Sequence, residues 1–533
     1  MSRWRIRWEC RFDIVVKETV ELFNPAATAS VLSAAGLLLT YLIQYGVTLK
    51  LRCEETLTSI ATAFTEPAEG DVAVVRAFAA SELWSIIWHR FAMVLHLTSQ
   101  EPMIDGETPR GGQHAPVPDW DLISPQGTLL FLSLALFVFT HEPHQCLLQL
   151  AQPSGVIMAT LNKLLEPDFL EYLAQTQLHE DGDLQLVPAT VLQVCQLFCF
   201  PFAMDVDPEI LELIMTSLKG SEIPARLLQV CIHHLPFLET ELPLSLLCHL
   251  VLSDEEVIEQ VVGAATSQHA TDFLSSIFLS NQVFLLADLL SLLTHIARAS
   301  PTHLPFLEKL LCGSTSQALS HLLCHPECLV RARACSLVGN LLRHKQGFPQ
   351  VLQDQTGLLE CLLERLSDED GHVRRSASFA VGNAAYQAGP FTQAISKAVP
   401  CVVQLLRDPQ TKTRCNAASA LGNLGQQSVE VGDLLIQNKA PDILLDVACH
   451  DSQPAVQKAA LVALCSISHQ PKIHQVPIPQ LWKWWDNVLV SLRASEKLEA
   501  LSLDLSQSRA YSSLWTSSTQ HCKKLIHLLQ PAH

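Results

Sequence analysis

Cysteine and histidine side chains gather between residues 231 and 249 and are the residues of this chain best suited to hold a metal ion. Thiolate and imidazole are the ligands that zinc prefers, but the spacing here belongs to no familiar zinc class. In leucine-rich helices such residues more often serve as core thiols and boundary imidazoles. We therefore predict packing roles and no bound metal for Cys231, His233, His234, Cys248 and His249.

Motifs for enzyme catalysis are missing from the sequence. It contains no His-Arg-Asp catalytic loop and no Asp-Phe-Gly metal site of a kinase, no Walker A loop, no Gly-x-Ser-x-Gly elbow and no His-Glu-x-x-His helix. Phosphate cradles and activated nucleophiles are the features by which an active site is recognised. We predict a chain without catalytic residues, cofactor or metal.

The bulk composition narrows the class of protein. A chain of 533 residues is too long for one hydrophobic core, and a hydrophobic content of 48% excludes a disordered chain. The net charge of −18 would repel a phosphate backbone, and no basic stripe segregated on one face is visible in the sequence. We predict several domains or a repeat array, with no nucleic-acid partner.

The sequence also indicates a compartment. Its 17 cysteines are too dilute for a disulfide scaffold, no Asn-x-Ser/Thr glycosylation site occurs, and the N-terminus resembles no signal peptide. These features predict a cytoplasmic or nuclear protein. The charge-free stretch 25–49 is long enough to cross a bilayer, but Gln44 and several hydroxyl residues dilute it. We favour a core helix there, with a membrane span as the alternative.

Proline, glycine and charge clusters suggest five segments. Residues 1–100 form an N-terminal helical segment, 101–127 a Pro/Gly-rich linker and 128–320 a HEAT-like helical region. Residues 321–472 contain repeats, and 473–533 an irregular insert with a C-terminal helical cap. Strand patterns are scarce, so we predict an all-α protein.

Internal repeats carry the fold prediction. Similar segments begin at Val330, Val373, Thr413 and Val456, separated by 43, 40 and 43 residues, which are the periods of armadillo and HEAT arrays. Each segment places apolar residues on one helical face and follows a helix breaker. An alanine recurs in all four, where we expect the helix to approach a neighbour closely. The fold class is therefore an α-solenoid of armadillo/HEAT-type helical repeats.

Asparagines near the end of three repeats are the best candidates for binding. In armadillo proteins the third helix of a repeat lines a concave groove, where an Asn bonds the backbone of an extended peptide, often with an aromatic residue four positions earlier. Only Phe379 supplies that aromatic residue here. The alternative is that Gly-Asn caps each helix in the left-handed conformation, and both interpretations stay open. The candidate groove residues are Asn340, Phe379, Asn383, Asn423, Arg331, Arg374 and Arg414.

The amino-acid sequence of the repeats is more informative than the fold class alone. The segment LSDEDGHVRRSASFAVGNAAY at 366–386 and the closing CKKLIHLLQPAH at 522–533 closely resemble the C-terminal region of the vertebrate Fused homologue, a serine/threonine kinase of Hedgehog signalling and motile-cilium assembly. In that family the kinase domain lies N-terminal and matches nothing here. ATP and Mg are therefore expected only in that kinase domain. Residues 1–11 and 477–487 depart from the family pattern.

The resemblance implies a non-catalytic scaffold. Its implied partners are Suppressor of Fused, Gli transcription factors and a Costal-type kinesin, with a role in Hedgehog signalling and in central-pair assembly of motile cilia. The implied locations are the cytoplasm, the nucleus and the cilium. Two alternatives stand beside it: a general armadillo-type adaptor or peptide-binding protein, and an adaptor anchored to a membrane through residues 25–49.

Overall fold

A computed structural model gives the structure of this chain. It describes residues 125–152, 155–177, 185–252, 254–311, 318–344, 357–387, 392–427, 429–468 and 470, together with a few positions between 84 and 95. The predicted N-terminal segment and linker lie almost wholly outside these residues. The stretch 25–49 and the C-terminal segment 473–533 lie outside them entirely.

Across the described ranges the chain is built from helices and contains no strand, which confirms the all-α prediction. Packing divides it into two compact units, one ending at Phe273 and one beginning at Leu274. The first unit contains α1 Pro125–His141, α2 Pro143–Leu150, α3 Val156–Leu164, α4 Pro167–Gln177, α5 Leu186–Ala203, α6 Pro208–Gly220, α7 Ile223–His233, α8 Glu241–Leu250 and α9 Glu255–Ala265. Helix α10, Gln268–Phe278, contains the boundary.

Breaks in the leucine-rich sequence set the helix boundaries in the first unit. The Asp207 carboxylate accepts the backbone N–H of Glu209, and the Asp254 carboxylate accepts that of Glu256, so each caps a helix N-terminus. Pro208 occupies the first position of α6, where its missing N–H costs nothing. Short polar and proline-containing turns therefore separate apolar helices that pack on one another.

Helix α5 is unusually apolar. Its 18 residues have a mean hydropathy of 1.7, enough by length and composition to cross a membrane, and it is the one such helix in the described part of the chain. More than half of it is buried, and it packs against α1, α8 and α4. A helix enclosed by other helices has no need of a charged face.

The second unit contains the repeats. After α11 Val283–Ala299 come α12 Leu304–Leu311, α13 Ala318–Leu323, α14 Cys328–Leu341, α15 Leu358–Glu364, α16 Gly371–Gln387, α17 Thr392–Ser396, α18 Val399–Leu405, α19 Thr411–Leu424, α20 Val429–Gln437, α21 Ala440–His450 and α22 Pro454–Ile467. Helices α11, α14, α16, α19 and α22 each pack against the next in that order. This is the stacking of a solenoid.

The four repeat segments found in the sequence are helices α14, α16, α19 and α22, which we call the third helices. Their shared alanines are Ala334, Ala377, Ala417 and Ala460, and all four have an exposed fraction of 0%. This complete burial agrees with the expectation that each third helix approaches a neighbour closely at this column. Small residues at these positions allow each third helix to lie close to its neighbours.

Candidate functional site

One stripe of each third helix remains accessible to solvent. The residues along it recur at intervals of three or four, as on one face of an α-helix. Because the third helices pack side by side, the four stripes adjoin and form one surface, which we call the third-helix face. Its members are Arg333, Ser336 and Arg343; Arg375, Phe379, Asn383 and Tyr386; Lys412, Asn416, Ser419, Asn423 and Gln426; and Lys458, Val462 and Ser466. Arg343 and Gln426 lie in the turns that directly follow α14 and α19.

Three predicted groove arginines lie between repeats instead of on this face. Each is the fourth residue of its third helix, and its guanidinium contacts an aspartate in the turn before the next third helix. Arg331 Nε lies 2.8 Å from Asp368 Oδ2, and Arg374 Nε lies 2.7 Å from Asp408 Oδ2. Arg414 Nε makes the same contact at 2.6 Å with Asp451. We call these three pairs the Arg–Asp ladder.

The ladder also binds the turn that precedes each helix. The Nη1 group of Arg374 donates to the carbonyl oxygens of Asp368 and Glu369, at 2.9 and 3.0 Å. Arg331 and Arg414 make equivalent bonds to the residues five and six positions earlier. The structure does not support the assignment of these arginines to a partner-binding groove, because each guanidinium bonds between repeats and to the turn before its own helix.

Replacements at both ends show where the ladder stops. In the last third helix Gln457 takes the arginine position and donates from Nε2 to the carbonyl oxygen of Asp451 at 2.7 Å. In the turn before the first third helix, α14, His325 occupies the position of the ladder aspartate. Its Nδ1 accepts the N–H of Glu327 at 3.1 Å. Leu286 is buried at the matching position of α11, so no arginine faces His325 from that helix. At the start of the array, the aspartate and the arginine that would pair with it are therefore both replaced.

Two of the ladder carboxylates, Asp368 and Asp451, are ionised more easily than ordinary aspartates. Burial by itself would raise the pKa of Asp368, but hydrogen bonds from Arg331 and from the N–H of Asp370 outweigh it, so the pKa lies below its usual value. The pKa of Asp451 is lowered in the same way, with burial opposed by Arg414 and by the N–H of Gln453. Both groups therefore stabilise the folded state in their charged form.

This predicts acid sensitivity of the second unit. A carboxyl group whose pKa is lower in the folded state contributes stability above its unfolded pKa, about 3.9 for Asp, and loses it as the pH falls through the folded value. We expect the urea midpoint of the second unit to be steady near neutral pH and to fall below about pH 4. The urea midpoint of an Asp451→Asn chain should be lower near neutral pH and should fall less steeply as the pH decreases. Parallel curves for the two chains would contradict this role of Asp451.

The predicted asparagines bond to backbone carbonyls. Nδ2 of Asn383 donates to Gly339 O at 2.8 Å, and Nδ2 of Asn423 donates to Gly382 O at 2.9 Å, each reaching the preceding third helix. Nδ2 of Asn340 stays within its own helix and bonds to Ser336 O at 2.9 Å.

None of the three asparagines is a left-handed cap. Among the described residues, positive φ outside glycine occurs only at Glu222 and Lys439. The capping interpretation is therefore wrong, because each Asn lies within a right-handed helix. The Oδ1 atoms of Asn383 and Asn423 accept no hydrogen bond within the described ranges, and both residues are partly exposed, whereas Asn340 is buried.

The sequence analysis missed a second row of polar side chains, which lies four residues beyond the asparagine position of each third helix. Gln387, Gln427 and Gln470 donate to carbonyl oxygens of the preceding repeat at 2.8, 2.6 and 2.6 Å. His344 occupies the first position of the row, with Nε2 lying 2.6 Å from Ala297 O. These groups satisfy carbonyls at and beyond helix C-termini. Extending the repeat alignment by four residues would have revealed the row.

Phe379 has a double role. Its ring covers Gly339 on the preceding third helix, where a Cβ atom would lie 2.7 Å from Cδ1 of Phe379. The side chain is only partly buried, so the rest of the ring belongs to the third-helix face. Glycine at 339 is thus required by close packing, and Phe379 remains a candidate for contact with a partner.

The third-helix face is basic, contrary to the expectation that no basic stripe exists. None of the four third helices contains Asp or Glu. Five basic side chains on the face form no ion pair within the described residues: Arg333, Arg343, Arg375, Lys412 and Lys458. The stripe is hard to see in the sequence because each third helix, with the turn that follows it, supplies only one or two of these charges, and the helices lie about 40 residues apart in the repeat.

The cysteine and histidine residues near 231 to 249 are divided between different neighbours. Burial raises the pKa of the Cys231 thiol to about 12. The rings of His233 and His269 lie 5.9 Å apart, whereas His249 stacks on Phe202 at 5.5 Å. Within the described part of the chain, no group of three or more His, Cys, Asp or Glu residues is arranged to hold a metal.

Comparison with known proteins relates this architecture to named relatives. A family model described as HEAT repeats matches residues 359–465. Serine/threonine-protein kinase 36 of Pongo abelii is 44% identical over 555 residues, covering 98% of this chain and 41% of that protein. The Mus musculus protein of the same name is 43% identical over 548 residues, covering 97% of this chain and 40% of that protein. The resemblance to the Fused homologue is confirmed.

A solved structure supports the fold. The crystal structure of an engineered protein covers 96% of this chain and 99% of its own, with a TM-score of 0.55 and 14% identity, which bears on the fold alone. The helical-repeat solenoid is thereby confirmed. This chain spans about two fifths of the length of its kinase-named relatives, so the similarity is to a repeat-built, non-kinase region of them.

Proposed function

We propose that this chain is the non-catalytic scaffold part of a Fused-type serine/threonine kinase and that its third-helix face binds an extended segment of a partner protein. The observation that carries the proposal is the pair of unoccupied Oδ1 acceptors on Asn383 and Asn423, on an accessible face that also holds Phe379. Each amide is fixed by its Nδ2 bond, so its acceptor is held in place.

The spacing of these acceptors suits a peptide. Adjacent third helices are expected to lie about 8–10 Å apart, which two to three residues of extended chain would bridge at about 3.3 Å per residue. A peptide N–H group directed at each Oδ1 would therefore fall at regular intervals along the partner. Side chains between those points would meet Phe379 and the exposed hydroxyl of Ser419.

The partners we propose are those that the resemblance to the Fused homologue implies. They are Suppressor of Fused, Gli transcription factors and a Costal-type kinesin, in Hedgehog signalling and in central-pair assembly of motile cilia. The corresponding compartments are the cytoplasm, the nucleus and the cilium. We assign no cofactor to this chain, and ATP and Mg belong to the kinase domain of the relatives. A general armadillo-type adaptor would share the same face and differ in what it captures.

A single bulky substitution on the face should abolish partner capture. Ser419 is exposed in the middle of the third-helix face, so Ser419→Trp adds an indole where the peptide would lie. We expect at least a tenfold loss of capture, since about 1.4 kcal/mol of lost contact suffices for that factor. The measurement is pull-down of each of the three candidate partners by the purified chain, followed by titration of any that binds.

The matched control is Ser452→Trp, which makes the same change at an exposed serine in the turn before α22. Both variants should melt within a few degrees of the parent chain, because exposed substitutions rarely exceed ±0.5 kcal/mol. Equal capture by both variants would refute the third-helix face as the binding site. Failure of the parent chain to capture any of the three partners would refute the proposed identity and favour the general adaptor.

A further inference from the structure

The third-helix face has the opposite charge to the chain that carries it. The whole chain has a net charge of −18, with 53 acidic and 35 basic residues. On the face, five basic side chains lie among neutral residues, and the four third helices contribute no carboxylate. The three remaining arginines of these helices are already neutralised by the Arg–Asp ladder.

We propose that the third-helix face selects an acidic segment, an extended peptide whose Asp and Glu side chains pair with these five cations. The inference rests on the proposed function, since it assumes that the face binds a peptide, and it adds the chemical class of that peptide. Complementary charge across an interface speeds encounter and excludes wrong partners. A basic peptide would be repelled by the same surface.

Register along the repeats sets the spacing of the partner's charges. Arg375 and Lys458 immediately follow the ladder position in their helices, so they occupy the same place two helix steps apart. Two steps of about 9 Å correspond to five or six extended residues at about 3.3 Å each. The full face, three steps wide, spans about 27 Å or roughly eight residues. Two or three acidic side chains within such a segment would be enough to pair with the cations of the third-helix face.

The neutral groups of the face favour a peptide over a nucleic acid. The Oδ1 atoms of Asn383 and Asn423 are acceptors, and they need donors such as the N–H groups of a peptide backbone. Phosphate oxygens are acceptors only and offer these atoms nothing. The negative charge of the rest of the chain also opposes a polyanion with one charge per nucleotide more than it opposes a short peptide.

The test uses the full chain and three labelled probes of equal length. These are a peptide of alternating Glu and Ser about twelve residues long, enough to overhang the face, its Lys-Ser counterpart, and a single-stranded oligothymidylate. Fluorescence anisotropy should show binding of the Glu-Ser peptide alone, weakening as salt shortens the screening length from about 10 Å at 0.1 M to about 3 Å at 1 M. Tighter binding of the oligothymidylate, or no binding of the Glu-Ser peptide, would overturn the inference.

Charge reversal locates the site. In the Arg375→Glu, Lys458→Glu chain we expect the Glu-Ser peptide to bind about tenfold more weakly. The control, Lys309→Glu with Arg407→Glu, makes the same change in net charge at exposed positions away from the face and should leave binding within about twofold. If Arg375→Glu with Lys458→Glu lowers the melting temperature, the double variant Arg333→Glu with Arg343→Glu makes the same test at the other end of the face.

The outcome separates this inference from the proposed function. If the Arg375→Glu, Lys458→Glu chain captures its protein partner undiminished while Ser419→Trp does not, the face binds a peptide whose charge is irrelevant. The charge inference is then wrong and the proposed function stands. Loss of capture in both variants, with the Lys309→Glu, Arg407→Glu chain unaffected, supports both.

Discussion

Arg374→Met should destabilise the second unit by about 3–5 kcal/mol, the cost of removing one partner from a buried ion pair. The side chain of Asp408 is only 2% exposed, and Arg374 Nε lies 2.7 Å from its Oδ2. Without the guanidinium, the carboxylate keeps the backbone N–H of Gln410 as its remaining donor, at 2.8 Å. One hydrogen bond does not compensate a buried charge.

The loss should be confined to the repeats. Urea unfolding gives the midpoint, and hydrogen–deuterium exchange locates the change, which we expect in α16 and α19 with the first unit unaffected. Arg331→Met is a graded comparison. Its partner Asp368 has a second cation nearby, because Arg365 Nη1 lies 3.6 Å from Oδ2 of Asp368. The Arg331→Met chain should therefore lose less stability than the Arg374→Met chain.

A double variant tests the physical reason. Asp408→Asn keeps an oxygen for the N–H of Gln410 and removes the charge, so Arg374→Met with Asp408→Asn should recover much of the lost stability. If the double variant is no more stable than Arg374→Met alone, the loss comes from packing of the arginine stem, and the buried carboxylate is not its cause.

The fold could be predicted from the sequence because its signal repeats. Four matched helices with a shared alanine and a breaker before each define the solenoid without any long-range information. The alanine column proved to be buried, as its pattern indicates. Local propensity, helix periodicity and repeat spacing all agree in this part of the chain.

The functional surface was harder to predict because each side chain had to be assigned to a contact between repeats or to solvent. Arg374 and Arg375 are adjacent in sequence, yet the first is held by Asp408 and the second belongs to the third-helix face. A turn of about 100° per residue separates their directions. No count of charges along the sequence distinguishes them without knowing where the next repeat packs.

The asparagines illustrate the same limit. A Gly-Asn pair near a helix end is compatible with a left-handed cap or with a groove donor, and spacing alone does not decide. The structure excludes the cap, because the helix continues in right-handed conformation through Asn383. It also gives the amide a role that neither interpretation contained, a bond from Nδ2 to Gly339 O on the preceding helix.

Ala377→Leu should cost about 1–3 kcal/mol, because a leucine at a fully packed position forces its surroundings apart. Ala377 has an exposed fraction of 0%. The neighbouring helices α14 and α16 are already close, since a Cβ atom on Gly339 would lie 3.0 Å from the Cα of Ala380. We expect a lower urea midpoint with an unchanged slope.

The helices cannot easily separate to admit the larger side chain. Moving α16 away from α14 would strain the bond from Asn383 to Gly339 O and the pair between Arg331 and Asp368, which brace the two repeats. The expected cost therefore lies toward the upper end of the range. Ala455→Leu makes the same change at an exposed position on α22 and should stay within ±0.5 kcal/mol of the parent. Equal urea midpoints for the two variants would mean that the Arg–Asp ladder does not prevent the helices from separating. The alanine column would then not set the distance between repeats.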